Sequence, residues 1–426
     1  MLSKELRKYI KSGELDAILA ELYGEGEVAS ARARYIDAVK EFEKLYGDDR
    51  EASIFSIPGR SELSGNHTDH NGGKVIAASV NLDAIAVASA SIGSVIRIAS
   101  EGYGEECVDF DSFAFPNDES FGTSASIIAG VVSGIKSLGK KVGAFDAYFT
   151  SRVPGGSGLS SSAVYENAVG TIINHFYNEG EIDQVTIAKI SQYAENTFFG
   201  KPCGLMDQIA CAVGGIVAID FESSKNPIVE RISADPLAPI ALCIVSTGGS
   251  HADLTDDYAS VPAEMKAVAS HFKKSILREI SRDELKNEIP ELREKLGDRA
   301  VLRAIHFFDE NDRVDEAVAA LKNNDLDTFL SVIIASGRSS YCYLQNVFSA
   351  KNPTEQGISL ALCLAEGFLA DKNAAWRVHG GGFAGTIQAF VPVDIADSFC
   401  EEMNAVFGRG ACKILKIRSR GAERII

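Results

Sequence analysis

The sequence predicts a mixed fold of helices and strands divided between two domains. Three observations carry this. A chain of 426 residues exceeds what one hydrophobic core ordinarily serves, because single cores stop growing at roughly 250–300 residues. Its 46% hydrophobic and 24% charged content is that of an ordinary globular protein. Runs with helical periodicity also alternate with Val-, Ile- and Ala-rich runs that read as buried strands.

The net charge of −17 argues against nucleic acid and anionic membrane as partners, since both require basic surface. A small anion held in a local pocket remains compatible. The N-terminus is charged and amphipathic rather than a signal peptide, and no apolar run is long enough to span a membrane. The eight cysteines are scattered with no C-x-x-C pair. They read as free buried thiols in a reducing compartment, so a cytoplasmic protein is expected.

Taken in order, residues 1–47 read as two helices. Leu2, Leu6, Ile10, Leu15, Ile18 and Leu22 mark the first, Gly24–Gly26 the break, and Tyr35, Ala38, Val39 and Phe42 the second. Ile54–Ile57 reads as a short strand stopped by Pro58–Gly59, and Val75–Ala90 as a buried strand. Between them lies a polar loop holding Arg60, Glu62, Asn66, His67, Asp69, His70 and Asn71. Polar density between apolar strands marks a candidate site. The H-x-x-H spacing of His67 and His70 lacks a third ligand cluster, so hydrogen bonding to a polyhydroxyl ligand is preferred to a metal.

Residues 95–118 read as strands, Ser124–Leu138 as a helix, and Ala144–Arg152 as a strand. That strand leads into SRVPGGSGLSSSA, residues 151–163. Its glycines let backbone approach a ligand, and the helix that follows, to about Asn178, offers unpaired N–H groups. The stretch suits a polyphosphate, with serine hydroxyls as further donors or a magnesium ligand. It is neither GxxxxGK[ST] nor GxGxxG, because Leu159 and Ser161 stand at the deciding positions.

A helix from about Gln184 to Phe199 contains Glu195. Asp207 then sits among Leu205, Met206 and Ile209. A carboxylate in apolar company needs a partner, a helix terminus or a catalytic task. Residues 239–249 read as a strand entering a second domain, followed by a polar loop with Tyr258; residues 262–370 read as mostly helical. HGGGFAGT, near the end, formally contains GxGxxG, but TIQAFVPV after it looks like strand, not helix. A tight turn between strands, packed beside another loop, explains those glycines better. A strand at Ile414–Ile417 closes the chain.

Three loops in this order, PGRSELSGNHTDHNGG, VPGGSGLSSSA and HGGGFAGT, together with CGLMDQIA, resemble the signatures of galactokinases. These are members of the galactokinase, homoserine, mevalonate and phosphomevalonate kinase superfamily. The resemblance covers roughly residues 30–426. It implies an α+β fold of two domains, here 28–235 and 236–426 after a helical extension 1–27, with the active site in the cleft. It implies ATP-dependent phosphorylation of a galactose C1 hydroxyl, with Arg60 and Asp207 as the catalytic pair. Gly155, Gly156, Ser157, Gly158, Leu159, Ser160, Ser161 and Ser162 would wrap the ATP phosphates. Ser162 (or Ser161) and Glu195, twelve positions before Asp207, would hold Mg2+. His67, Asp69, Gly204 and Tyr258 fall at sugar contacts.

One residue departs from the pattern. Galactokinases carry G-E-H-T-D, and here Asn66 replaces the glutamate that contacts the C6 hydroxyl. Loss of that charge removes repulsion against a sugar bearing a C6 carboxylate, so galacturonate stands as the alternative to galactose. A sensor without turnover would not need Arg60, Glu195 and Asp207 together. The expected partners are the small sugar and ATP, with a monomer favoured.

Overall fold

The computed structural model describes residues 1–113, 121–155, 158–223, 225–248 and 254–426. Gly156 and Ser157 of the candidate phosphate loop, the end of the expected strand region from 114, and 249–253 of the segment before Tyr258 lie outside them.

The N-terminal segment holds three helices rather than two: α1 (Ser3–Lys11), α2 (Asp16–Tyr23) and α3 (Val28–Tyr46). The added break falls at Gly13, whose φ of +87° is a conformation a β-carbon resists. Leu6, Leu19, Tyr35 and Phe42 on these helices pack with Ile54, Ile85 and Val87, so the segment covers part of a sheet.

That sheet begins with β1 (Ser53–Ser64), β2 (Lys74–Ala90), β3 (Val95–Ser100) and β4 (Glu105–Asp109). After α4 (Ser124–Ser137) come β5 (Phe145–Ser151), α5 (Ser161–Asn178), α6 (Gln184–Tyr193) and α7 (Met206–Val213), then the hairpin of β6 (Ile216–Asp220) and β7 (Ile228–Ile232). Strand β8 (Ile240–Ser246) opens a second sheet. It is followed by α8 (Thr255–His271), α9 (Arg282–Leu296), α10 (Asp298–Lys322), α11 (Leu326–Ser339) and α12 (Gly357–Leu369). The chain ends with β9 (Ala375–Val378), β10 (Thr386–Pro392), α13 (Ala396–Phe407), β11 (Cys412–Leu415) and β12 (Glu423–Arg424).

The larger sheet has the order β12-β1-β2-β5-β3-β4, with β6 on β2 and β7 on β6. Its pairs are antiparallel except β3 with β5. The smaller sheet, β11-β8-β10-β9, is antiparallel. Strand β12 returns from the end of the chain to pair with β1, so residues expected in the second domain complete the first sheet. One apolar core runs from the larger sheet through α10 and α11 to Leu242, Ile244 and Phe390 of the smaller one. The opposite face of the smaller sheet lies under α12 and α13.

Several expectations are corrected. β1 does not stop at Pro58–Gly59 but runs twelve residues. Its register slips between Pro58 and Arg60, a bulge that accommodates the missing N–H. Arg60 and Glu62 are therefore buried strand residues, not loop residues. Tyr258 lies on α8, not in a polar loop, and the last expected strand is displaced to β11. Cys107, Cys342 and Cys363 are exposed rather than buried. HGGGFAGT does link two strands, β9 and β10. Among the described residues no helix is long and apolar enough to cross a membrane.

Candidate active site

The β1 bulge aims Arg60 at Asp207, which stands in the first turn of α7. Arg60 Nε donates to Asp207 Oδ1 at 2.7 Å and Nη2 to Oδ2 at 2.5 Å, a bidentate match of guanidinium to carboxylate. Arg60 Nη1 also donates to the Gly158 carbonyl, and Ser160 Oγ to Asp207 Oδ2. Burial alone would raise the Asp207 pKa; Arg60 first and Ser160 second outweigh it and hold the carboxyl below its ordinary value. The Arg60 side chain is 8% exposed and that of Asp207 32%. The arginine end of the pair is sealed while the carboxylate end stays partly open.

Gly158 (φ +72°) and Ser160 (φ +62°) turn the chain into α5. A β-carbon on Gly158 would sit 3.3 Å from His379 Nδ1, so the phosphate-loop candidate and the HGGGFAGT turn touch, as expected. Leu159 points its side chain into the core, and its carbonyl accepts from the Arg60 N–H. Beside this loop a cavity of about 470 Å³ is bordered by Gly155, Ser161, Ser162, Tyr103, Tyr165 and Glu195. Glu195 belongs to a π-helical turn, Ala194–Phe199, that extends α6. Such turns re-aim side chains and recur at functional sites.

Glu195 accepts from Lys201 Nζ at 3.3 Å and from Gln208 Nε2 at 2.9 Å. Gln208 also donates to Glu166 at 3.2 Å. Burial, then the neighbouring Glu195 charge, pushes the Glu166 carboxyl well above its ordinary value. Among the described residues Glu166 Oε1 and Gln208 Oε1 are buried without a hydrogen-bond partner. A serine hydroxyl and a carboxylate on one cavity wall, backed by under-satisfied oxygens, fit a Mg2+ that keeps waters and phosphate oxygens.

On the other side of Asp207, the Asp69 carboxylate is 14% exposed. Its nearest charged partner is His70 Nε2 at 3.8 Å. Among the described residues no group donates a hydrogen bond to it. Gly204 lies against it, and a β-carbon there would stand 2.1 Å from Asp69 Oδ2; only glycine fits. His67 (φ +60°) holds the Gly381 carbonyl through Nε2 at 2.9 Å. Burial lowers its pKa to about 4, which keeps the ring neutral. Tyr258 donates to the Gly382 carbonyl at 2.7 Å, and Gly381 leaves room for its ring.

Asn66 departs from its expected place. Its Nδ2 donates to Gly380 O at 2.7 Å and Glu62 Oε1 at 3.2 Å. Its Oδ1 accepts from Asn346 at 2.7 Å and Ser340 at 3.3 Å. Both halves of the amide are saturated, and the residue is fully buried. It ties the polar loop to the turn rather than presenting a group to a sugar.

The structure thus joins Arg60, Asp207, Ser160 and Gly158 by hydrogen bonds, sets Gly204 against Asp69 three residues before Asp207, and places Ser161, Ser162 and Glu195 on the cavity beside the loop. Sequence reasoning missed Gln208, Lys201, Glu166 and His379. Gln208 follows Asp207 directly, and Glu166 is an acid on the apolar side of a helix, so both carried a weak signal.

The larger frame is that of a GHMP kinase: the family model for the GHMP kinases N terminal domain matches residues 126–215. The structure of Methanococcus jannaschii mevalonate kinase superposes with a TM-score of 0.60 at 16% identity, covering 86% of this chain and 98% of that one. The galactokinase galactose-binding signature matches residues 40–90. Galactokinase of Actinobacillus pleuropneumoniae serotype 5b is 32% identical over 363 residues, 83% of this chain and 89% of the relative. Lactococcus lactis galactokinase, solved with galactose, gives a TM-score of 0.75 at 24% identity, covering 90% of this chain and 98% of that one. The chain belongs to the galactokinase family.

Proposed function

We propose that this enzyme transfers the γ-phosphoryl group of ATP to the C1 hydroxyl of galactose, giving galactose 1-phosphate and ADP. The observation that carries the reading is Asp207: ionised by Arg60, open on one face, and tied through Ser160 and Arg60 to the loop proposed to hold the triphosphate.

A carboxylate held below its ordinary range is a weak proton acceptor in the ground state. Asp207 therefore orients the attacking hydroxyl and takes its proton only as the new O–P bond acidifies that oxygen. Arg60 keeps Asp207 charged and neutralises charge building on the transferred group. The Gly155–Ser162 backbone and the start of α5 cradle phosphates. Ser162 and Glu195 would hold Mg2+, which when bound offsets phosphate charge. Asp69, lacking a donor of its own, accepts two sugar hydroxyls; Gly204 keeps the approach clear.

Asn66 spends its amide on partners within the protein, so it offers a C6 carboxylate no attraction, and the missing glutamate charge by itself does not select galacturonate over galactose. ADP release measured with ATP across hexoses and uronic acids tests the reading. Galactose is expected to be turned over fastest, and efficient use of galacturonate with little of galactose overturns it.

A further inference from the structure

Three buried cysteines converge on the face of the smaller sheet turned away from the cleft. Cys243 comes from β8, Cys412 from β11 and Cys400 from α13. Cys243 projects opposite to Ile244, which borders the cavity beside Gly155 and Leu159. Cys412 stands across from Val245 while Cys243 stands across from Ile414, so the two are diagonal neighbours on one face. α13 lays Cys400 over them. The three sulfurs all lie within 4.8 Å of one another.

Cysteine is a commonly buried residue, and a pair in a core means little. Three from separate elements, with sulfurs facing, ask for more. A disulfide would use two and strand the third. One soft ion uses all three: metal–sulfur bonds of about 2.3 Å set sulfurs roughly 4 Å apart, inside the observed spread. Among the described residues no carboxylate or imidazole joins the group, so the donor set is sulfur alone. Met403, one turn along α13 from Cys400, adds a thioether to the same core cluster. Cys400 and Cys412 keep slight surface access while Cys243 has none, which gives an ion a way in past α13.

We infer that Cys243, Cys400 and Cys412 form a binding site for a thiophilic closed-shell cation of the Zn2+ or Cu+ class. Binding releases thiol protons to solvent. The ion staples α13 to β8 and β11. The turn between α13 and β11 borders the cavity next to the phosphate-loop candidate, so loading stiffens one wall of the cleft.

Cd2+ is the probe, because thiolate-to-cadmium charge transfer gives an ultraviolet band that oxygen and nitrogen ligands do not. The full chain, with Cys107, Cys203, Cys342 and Cys363 replaced by serine, is reduced, freed of metal and titrated. The band is expected to saturate at one ion per chain and to vanish in Cys400→Ser at unchanged circular dichroism. No band, or a band that survives Cys400→Ser, overturns the site. Should Cys400→Ser not fold, cadmium NMR of the parent decides: a shift in the three-sulfur range supports the site, and one in the oxygen or nitrogen range overturns it.

Discussion

Asp83 and Asp207 are both carboxylates set against arginines, and both are held below the ordinary carboxyl pKa despite burial. Their surroundings differ in one respect. Asp83 accepts from Arg34 at 2.5 Å, Tyr23 at 2.6 Å, Arg418 at 3.3 Å and Ser56, and none of its side chain is exposed. Asp207 accepts from Arg60 and Ser160 and leaves a third of its side chain open. Donors reach Asp83 from the N-terminal helices, β1 and the C-terminal tail, closing it on every side. A buried ion pair of that kind locks elements together; one left open on a cleft is available for chemistry.

Exchanging the two roles is the severest challenge to this distinction. Asp207→Asn keeps the shape of the side chain and removes its charge. ADP release should fall by roughly 100- to 1,000-fold, with the thermal midpoint moving by only a few degrees. Asp83→Ala should do the reverse. It leaves two buried guanidiniums without their carboxylate, costing about 3–5 kcal/mol in urea unfolding, while turnover per folded molecule stays near that of the parent.

Smaller effects sharpen the same contrast. Glu195→Gln should raise the Mg2+ concentration for half-maximal rate by about tenfold or more, and chelation should abolish ADP release until Mg2+ is restored. Acid should act on a neighbour first. His379 is buried between the two sheets, and burial followed by the charges of Arg60 and Arg377 lowers its pKa to about 3. The unfolded chain binds that proton below about pH 6.5 and the folded chain does not. Stability should therefore fall as pH drops below that value, by about 1.4 kcal/mol per pH unit from this group. His379→Gln should flatten that slope in urea titrations run at successive pH values. The two aspartates lose their contribution only at lower pH, as it falls through the carboxyl range. Tyr23→Phe, deleting one donor to Asp83, should cost about 1 kcal/mol and leave the rate alone.

Much of the site was legible because its residues sit in short motifs whose order along the chain matters more than their structure. Arg60, Asp69, Gly204, Asp207 and the Gly/Ser loop are picked out as candidates that way. What escaped depends on contacts between distant segments. Pro58 looked like a strand stop because a sequence does not show the bulge that absorbs it. Asn66 looked like a ligand group because its partners Ser340, Asn346 and Gly380 lie far along the chain. Tyr258 was placed in a loop because the segment leading to it is polar, although α8 begins three residues earlier. The cysteine cluster had no local spacing to announce it.

The return of the C-terminal tail bears on how the protein is made. Arg418 fills part of the Asp83 network, and β12 pairs with β1, which was laid down near residue 53. A chain emerging from the ribosome cannot finish its first sheet until residues near 424 are free of the exit tunnel. Its first edge strand and a buried aspartate wait through synthesis of all that lies between, a long interval of vulnerability to aggregation in which a chaperone would find its substrate.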